Sequence, residues 1–414
     1  MSGVVTVSLK RVTQRTSHAH LSQDVSASPA PPAKSRNGRL DAIIVPASRP
    51  ASFLQPAIDL AASLNVLLVM LCSKQTRVEQ VAQRVASTPG AKCLIVPITE
   101  SWRHAAFPSR TSAPGFADVQ AGRKSDLSLK RNLGLVLARL HGWNKIAFVD
   151  DDIRLSRTDK IARLAGQLDV HQVAGMVVPR FPDNSVVCHA RRLADLPQDV
   201  FLTGAVLAVH CNNLPLSFFP NIYNEDWFFF AREAATRRLP RVGQALQEAY
   251  DPFASPDRAG WEEFGDLLAE GLFALFGEGD PSVPFTEQLC EATRNYWDRF
   301  IDARREMMTE TKTLLQRLAL DDPGRHRVHS AFDSLEVAQS SLDTIKPDIC
   351  VNFLEAYLDD LRDWQEFTNG VNNVGSTREA MDQLELKAWR LAEFGAAEVD
   401  DLRGSRRLTV PVAL

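Results

Sequence analysis

No apolar run in the 414 residues approaches the roughly 18 positions needed to cross a bilayer, and the first residues carry no hydrophobic signal core. The six cysteines, Cys72, Cys93, Cys188, Cys211, Cys290 and Cys350, form no Cys-x-x-Cys pair. That argues against a zinc site or a disulfide framework, and scattered thiols in apolar runs read as reduced core residues. The formal net charge of -4 supplies no basic field for nucleic acid or an acidic membrane. No Gly-x-Gly-x-x-Gly follows the first apolar strand, which argues against the NAD-type fingerprint. What is present, 45% hydrophobic and 24% charged residues, is the composition of an ordinary globular protein. A cytoplasmic location without a transmembrane segment is the expectation.

Residues 1–38 are rich in Ser, Thr, Ala and Pro and read as a disordered arm, with a stray strand over Val4 to Leu9. Apolar runs at Asp41–Pro46, Asn65–Cys72 and Ala91–Ile98 read as strands. Helical patterns at Phe53–Leu64 and Arg77–Ala86 separate them. Strand, helix, strand, helix, strand is the pattern of a doubly wound, mostly parallel sheet. Residues 99–124 are irregular and read as a loop over a site. Ser125 caps a helix that runs to Leu140. Strands are expected at Ile146–Val149, Val173–Pro179, Ser185–His189, Thr203–His210 and Val242–Ala249, with helices over Thr158–Leu168 and 257–276. From residue 281 the composition turns helical, with patterns at Phe285–Leu318, Arg325–Ile345, Pro347–Thr368 and Arg378–Phe394. The division is therefore an arm at 1–38, an α/β domain at 39–280, a helical domain or oligomerisation element at 281–396 and a tail at 397–414.

The chemistry gathers at Asp150, Asp151 and Asp152, directly after the apolar run Ile146–Val149. In open α/β sheets ligands bind at this edge of the strands. Three adjacent carboxylates repel one another, and Mn²⁺ or Mg²⁺ would offset that repulsion. Asp clusters also serve as turn and N-cap residues, so both readings stand at this point. Glu225 and Asp226 open a helix, where they act either as caps or as acid–base groups. Lys130 and Arg131 lie on a helix that leads into the Asp strand, either in a ligand site or on a solvated face. Gly204, at the entry to an apolar strand, would let a ligand approach the backbone closely. His189 and His210 read as core or surface residues, and the pair His326 and His329 is a weak metal signal.

These pieces resemble the GT-A glycosyltransferases of the family 2 type. Ser128-Leu-Lys-Arg-Asn-Leu-Gly-Leu followed by Ile146-Ala-Phe-Val-Asp-Asp-Asp-Ile looks like that family's Arg-Asn-x-Gly helix and DxD strand end. Ile43-Ile-Val-Pro-Ala-Ser-Arg-Pro resembles its first strand and nucleotide loop, and Asn224-Glu225-Asp226-Trp227 its ED motif. The resemblance covers residues 40–255. It implies a Rossmann-like GT-A domain followed by the helical region, and a metal-dependent transfer from a UDP- or GDP-linked sugar to a hydroxyl acceptor. In that scheme Ser48, Arg49, Lys130, Arg131, Asn132, Asp150 and Asp151 bind the donor. Asp150 and Asp152 hold the metal, with Asp251 replacing the family's histidine. Asp226 is the base of an inverting reaction, with Glu225 the alternative. The competing expectations are a nucleotidyltransferase of similar fold and a non-catalytic sugar-nucleotide-binding scaffold.

Overall fold

The strand Ala42–Val45 divides its side chains between two cores, Ala42 and Ile44 on one face and Ile43 and Val45 on the other, all fully buried. A strand buried on both faces reads as a continuous apolar run, which is why it stood out in the sequence. The computed structural model describes residues 13–27, 38–155, 158–182, 184–321 and 326–397. Its strands are β1 (Ser22–Asp24), β2 (Ala42–Val45), β3 (Leu67–Cys72), β4 (Lys92–Pro97), β5 (Lys145–Val149), β6 (Ile153–Arg154), β7 (Val173–Val177), β8 (Thr203–His210), β9 (Leu239–Gln244), β10 (Leu246–Gln247), β11 (Arg390–Glu393) and β12 (Ala396–Ala397). Ten of them form one sheet in the order β1-β9-β7-β8-β5-β2-β3-β4-β11-β12, while β6 and β10 pair separately. The centre β5-β2-β3-β4 is parallel, and β8 runs antiparallel to β5. The start of β8 therefore meets the C-terminal ends of β5 and β2 at one sheet edge.

Helices α1 (Gln55–Leu64), α2 (Val78–Ala86) and α4 (Thr158–Gln167) cover one face. The other face carries α3 (Leu127–Leu140), α5 (Val186–Leu193), α6 (Glu225–Phe229), α7 (Ala231–Ala235) and α8 (Asp257–Glu278). The helices α9 (Phe285–Cys290), α10 (Arg294–Asp321), α11 (His326–Thr344), α12 (Pro347–Gly370) and α13 (Thr377–Gln383) follow. Their buried residues, among them Trp297, Phe300, Leu335, Phe353 and Trp364, join the same core as Phe148, Phe219 and Phe228. The protein is thus α/β, with a mostly parallel central sheet and a C-terminal helical region packed onto one face. No helix among the described residues is long and apolar enough to cross a membrane.

Several expected elements differ. Residues 13–27, placed in the disordered arm, are folded: β1 runs parallel to β9, and His18 is buried against Trp227 and Phe273. Val4 to Leu9 and the tail from 398 onward lie outside the described residues. The expected strand Ser185–His189 is the first half of α5. Ser185 Oγ accepts the Cys188 amide as an N-cap, and Arg191 and Arg192 fall in the last turn, where the helix dipole favours cations. The last helical pattern stops at Gln383, and Arg390–Glu393 adds an antiparallel strand to β4. Glu385, at a φ of 55°, ends the helical path before it. The pattern at Phe285–Leu318 is two helices, α9 and α10.

Candidate active site

The turn after β5 carries Asp150, Asp151 and Asp152, whose carboxylates are shared between two arginines, Arg131 for Asp150 and Arg49 for Asp151 and Asp152. Asp150 receives Arg131 Nη2 at 2.9 and 3.1 Å. Asp151, 4% exposed, accepts the Ser48 amide at 2.7 Å, the Arg49 amide at 2.9 Å, the Ser48 hydroxyl at 3.4 Å and Arg49 Nη1. It therefore locks the loop after β2 onto the end of β5. Asp152 pairs with Arg49 Nη2 at 2.8 Å and accepts Gln247 Nε2 at 3.1 Å. Like-charge repulsion among three neighbouring aspartates is offset by two guanidinium groups.

Arg131 comes from the first half of α3, is 2% exposed and also donates to Glu225 Oε1 at 2.6 Å. Burial works against its charge, but Asp150, Glu225 and Asp226 outweigh that cost and raise its pKa. Gly204, at the start of β8, is what lets it lie there. A Cβ on Gly204 would stand 2.5 Å from Arg131 Nη1 and 2.8 Å from Asp226 Cβ. The close approach expected at this glycine is thus made by the protein's own guanidinium.

Glu225 and Asp226 begin α6 after Asn224, whose φ of 58° is a left-handed conformation that asparagine tolerates. Asn224 Nδ2 is held by Asp266 Oδ1 at 2.9 Å. Asp226 accepts the Gly204 amide on Oδ2 and the Trp227 amide on Oδ1, at 2.9 Å for the latter, so its plane is fixed by backbone. Lys130 and Asn132, expected to bind the donor, are engaged by groups of the protein itself. Lys130 Nζ ties Ala47 O (2.8 Å), Ser73 Oγ (2.6 Å) and Asp126 (3.2 Å) together. Asn132 exchanges two 2.8 Å bonds with the Phe219 backbone.

A cavity of about 300 Å³ opens here, lined by Arg123, Lys124, Arg131, Asp150, Thr203, Tyr223, Glu225, Asp226, Arg258 and Glu262, among others. Six of these were not singled out as site residues: Arg123, Lys124, Thr203, Tyr223, Arg258 and Glu262. Arg258, Trp261 and Glu262 fall at i, i+3 and i+4 on α8, so one helix face delivers them together. Arg258 Nε donates to Glu262 Oε1 at 2.6 Å. Burial pushes the Glu262 carboxyl up, opposed by Arg258, and pushes the Arg123 guanidinium down, opposed by Glu225.

The residues expected to hold Mn²⁺ or Mg²⁺ do not come together. Asp150 lines the cavity just described, whereas Asp152 lines another with Ser52, Phe53 and Glu248. Asp251 is exposed and accepts the Phe253 amide at 3.0 Å in a local turn. Among the described residues no three His, Cys, Asp or Glu side chains are grouped to hold a metal ion. The histidines do not supply the gap, since His189 sits on α5 between Phe181 and Tyr250 and His210 lies at the far end of β8.

No protein-family model matches the chain, and no curated protein matches it. Among solved structures, a mannosyltransferase from Pyrobaculum calidifontis in complex with GDP-Man and Mn²⁺ matches with a TM-score of 0.40. The identity is 15%, over 81% of this chain and 88% of that chain.

Proposed function

We propose that the protein transfers a sugar from a nucleotide-diphosphate donor to a hydroxyl acceptor. One observation carries this reading: at the C-terminal edge of the parallel strands, the Glu225–Asp226 pair shares a cavity with Arg123, Lys124, Arg131 and Arg258. Glycosyl transfer needs a carboxylate base and cations for the departing diphosphate, and this cavity holds both. In the reaction the acceptor oxygen bonds to the anomeric carbon, and the carbon–oxygen bond to the diphosphate breaks. The diphosphate leaves with the electron pair and Asp226 takes the hydroxyl proton. Attack from the face opposite the leaving group makes the transfer inverting. Asp226 suits the base role because its orientation is fixed by Gly204 and Trp227, whereas Glu225 is engaged by Arg131. The loop at Ser48 and Arg49, held by Asp151, borders the same sheet edge and forms the nucleotide side of the site.

A calorimetric and thermal-shift screen of UDP, GDP and their sugar conjugates tests the donor assignment, with at least one nucleotide diphosphate expected to bind. Asp226→Asn is expected to keep that binding and lose donor turnover. Absence of binding by every nucleotide diphosphate would overturn the function, and full turnover by Asp226→Asn would move the base elsewhere.

A further inference from the structure

We infer that the departing diphosphate is held by the protein's own cations, Arg123, Lys124 and Arg131 with Arg258 behind them, and that donor binding needs no divalent ion. This rests on the reading of the cavity as a nucleotide-sugar site. Three features of the cavity carry it.

The first is where the aspartates point. A metal-dependent site would gather carboxylate oxygens on one ion, yet Asp150, Asp151 and Asp152 are distributed over Arg131, Arg49 and the Ser48–Arg49 amides. The position between Asp150 and Glu225, where two carboxylates from different elements converge, is filled by the Arg131 guanidinium. A guanidinium with two ion pairs in a buried setting is a fixed positive charge and supplies the electrostatic role of an ion.

The second is the balance of charge. Arg123, Lys124, Arg131 and Arg258 face Asp150, Glu225, Asp226 and Glu262 across the cavity. Arg131 and Arg258 are matched by close carboxylates. Arg123 donates to Asn221 Oδ1 at 3.1 Å and reaches Glu225 only at 4.0 Å. Lys124, exposed at the rim, makes no ion pair or hydrogen bond among the described residues. Two cations are thus available to an anion on one wall.

The third is an unmet donor. Arg131 Nε is buried with no acceptor among the described residues, although the guanidinium lines the cavity. Buried N–H groups without a partner are rare because their desolvation is uncompensated, and an anionic oxygen in the cavity would supply the missing acceptor.

The test is titration of GDP and UDP into the full chain, in EDTA and again with Mn²⁺ or Mg²⁺, for the unaltered protein, Lys124→Ala and Arg123→Gln. Equal affinity with and without the metal, within about twofold, is expected. Each substitution is expected to weaken binding about tenfold, the scale of one lost charge-assisted hydrogen bond. Lys124 is exposed and breaks no ion pair or hydrogen bond among the described residues when replaced, so Lys124→Ala should keep the fold and its circular dichroism should match the parent. Binding seen only with the metal, or unchanged in both variants, overturns the inference and leaves the donor-site reading standing. Binding in neither condition overturns that reading and this inference with it.

Discussion

Nη2 of Arg131 lies 2.9 and 3.1 Å from the two oxygens of Asp150, joining a helix to the strand end that follows it by 19 positions in sequence. The same side chain continues to Glu225, so α3, the end of β5 and the start of α6 are fixed relative to one another by a single guanidinium. Arg131→Met would leave the Glu225 carboxylate buried without its close partner, with Arg123 at 4.0 Å as the remaining cation among the described residues. Removing one member of a buried ion pair costs about 3–5 kcal/mol. Urea unfolding should show a loss of that size. Arg131→Lys, which keeps the charge but loses the fork, should recover part of it. Equal stability of all three proteins would show that the cluster contributes nothing to folding.

Gly204 leads to a second expectation. Its missing Cβ makes room for Arg131 Nη1 and for Asp226 Cβ. Both neighbours are pinned, one by Asp150 and Glu225 and the other by the Gly204 amide itself, so neither can retreat cheaply. Gly204→Ala should cost about 1–3 kcal/mol, the range for overpacking, and should reduce donor turnover by shifting Asp226. Unfolding midpoints together with turnover measure both parts, and an unperturbed Gly204→Ala protein would mean that the pair can move.

Much of this was legible in the sequence. The buried strands at Ala42–Val45, Leu67–Cys72, Lys92–Pro97 and Lys145–Val149 announce themselves as short apolar runs, because the interior positions of strands covered on both faces are apolar and only an end such as Lys92 or Lys145 carries charge. The Asp turn follows from the same logic, at the C-terminal end of a buried strand, and Glu225–Asp226 were read as a helix start, which α6 is. Partners were not legible. Nothing in the order Asp150-Asp151-Asp152 says that the three carboxylates diverge toward two arginines from different elements. Arg258 and Glu262 looked like ordinary members of an amphipathic helix, and only tertiary packing turns that face into a cavity wall. Edge elements were harder still. Arg390–Glu393 has too few residues to show a period, and its strand state comes from the open edge of β4.

His189 predicts an acid-sensitive step in stability. It is buried on α5, and its Nε2 has no partner among the described residues. Burial, then the positive charges of Arg192, Arg258 and Arg327, push its pKa from 6.5 down to about 4. The folded state therefore holds a neutral imidazole, while the unfolded chain takes up a proton near its ordinary value. Its contribution to stability is fully present above about pH 6.5 and is lost as pH falls from there toward about 4. Unfolding midpoints measured across that window should fall more steeply for the parent than for His189→Phe. Parallel curves would assign the acid sensitivity to other groups.

The link between the C-terminal helices and the site can be broken at Arg304. Arg304, 1% exposed on α10, donates to Glu263 at 2.6 and 2.9 Å and to Asp266 at 2.6 Å, both on α8. The other Asp266 oxygen holds Asn224, the left-handed residue that aims Glu225 and Asp226 into the cavity. Arg304→Met would leave two buried carboxylates facing each other without a cation, at a cost of about 3–5 kcal/mol. Replacing the whole cluster, as Arg304→Met with Glu263→Leu and Asp266→Leu, should regain most of that stability, because apolar side chains of similar volume need no charge partner. Donor turnover should stay low in the triple variant, since Asn224 has lost its anchor even though the fold has been restored. A triple variant with parental turnover would show that Asn224 is held by its backbone alone and that the helical region does not position the base.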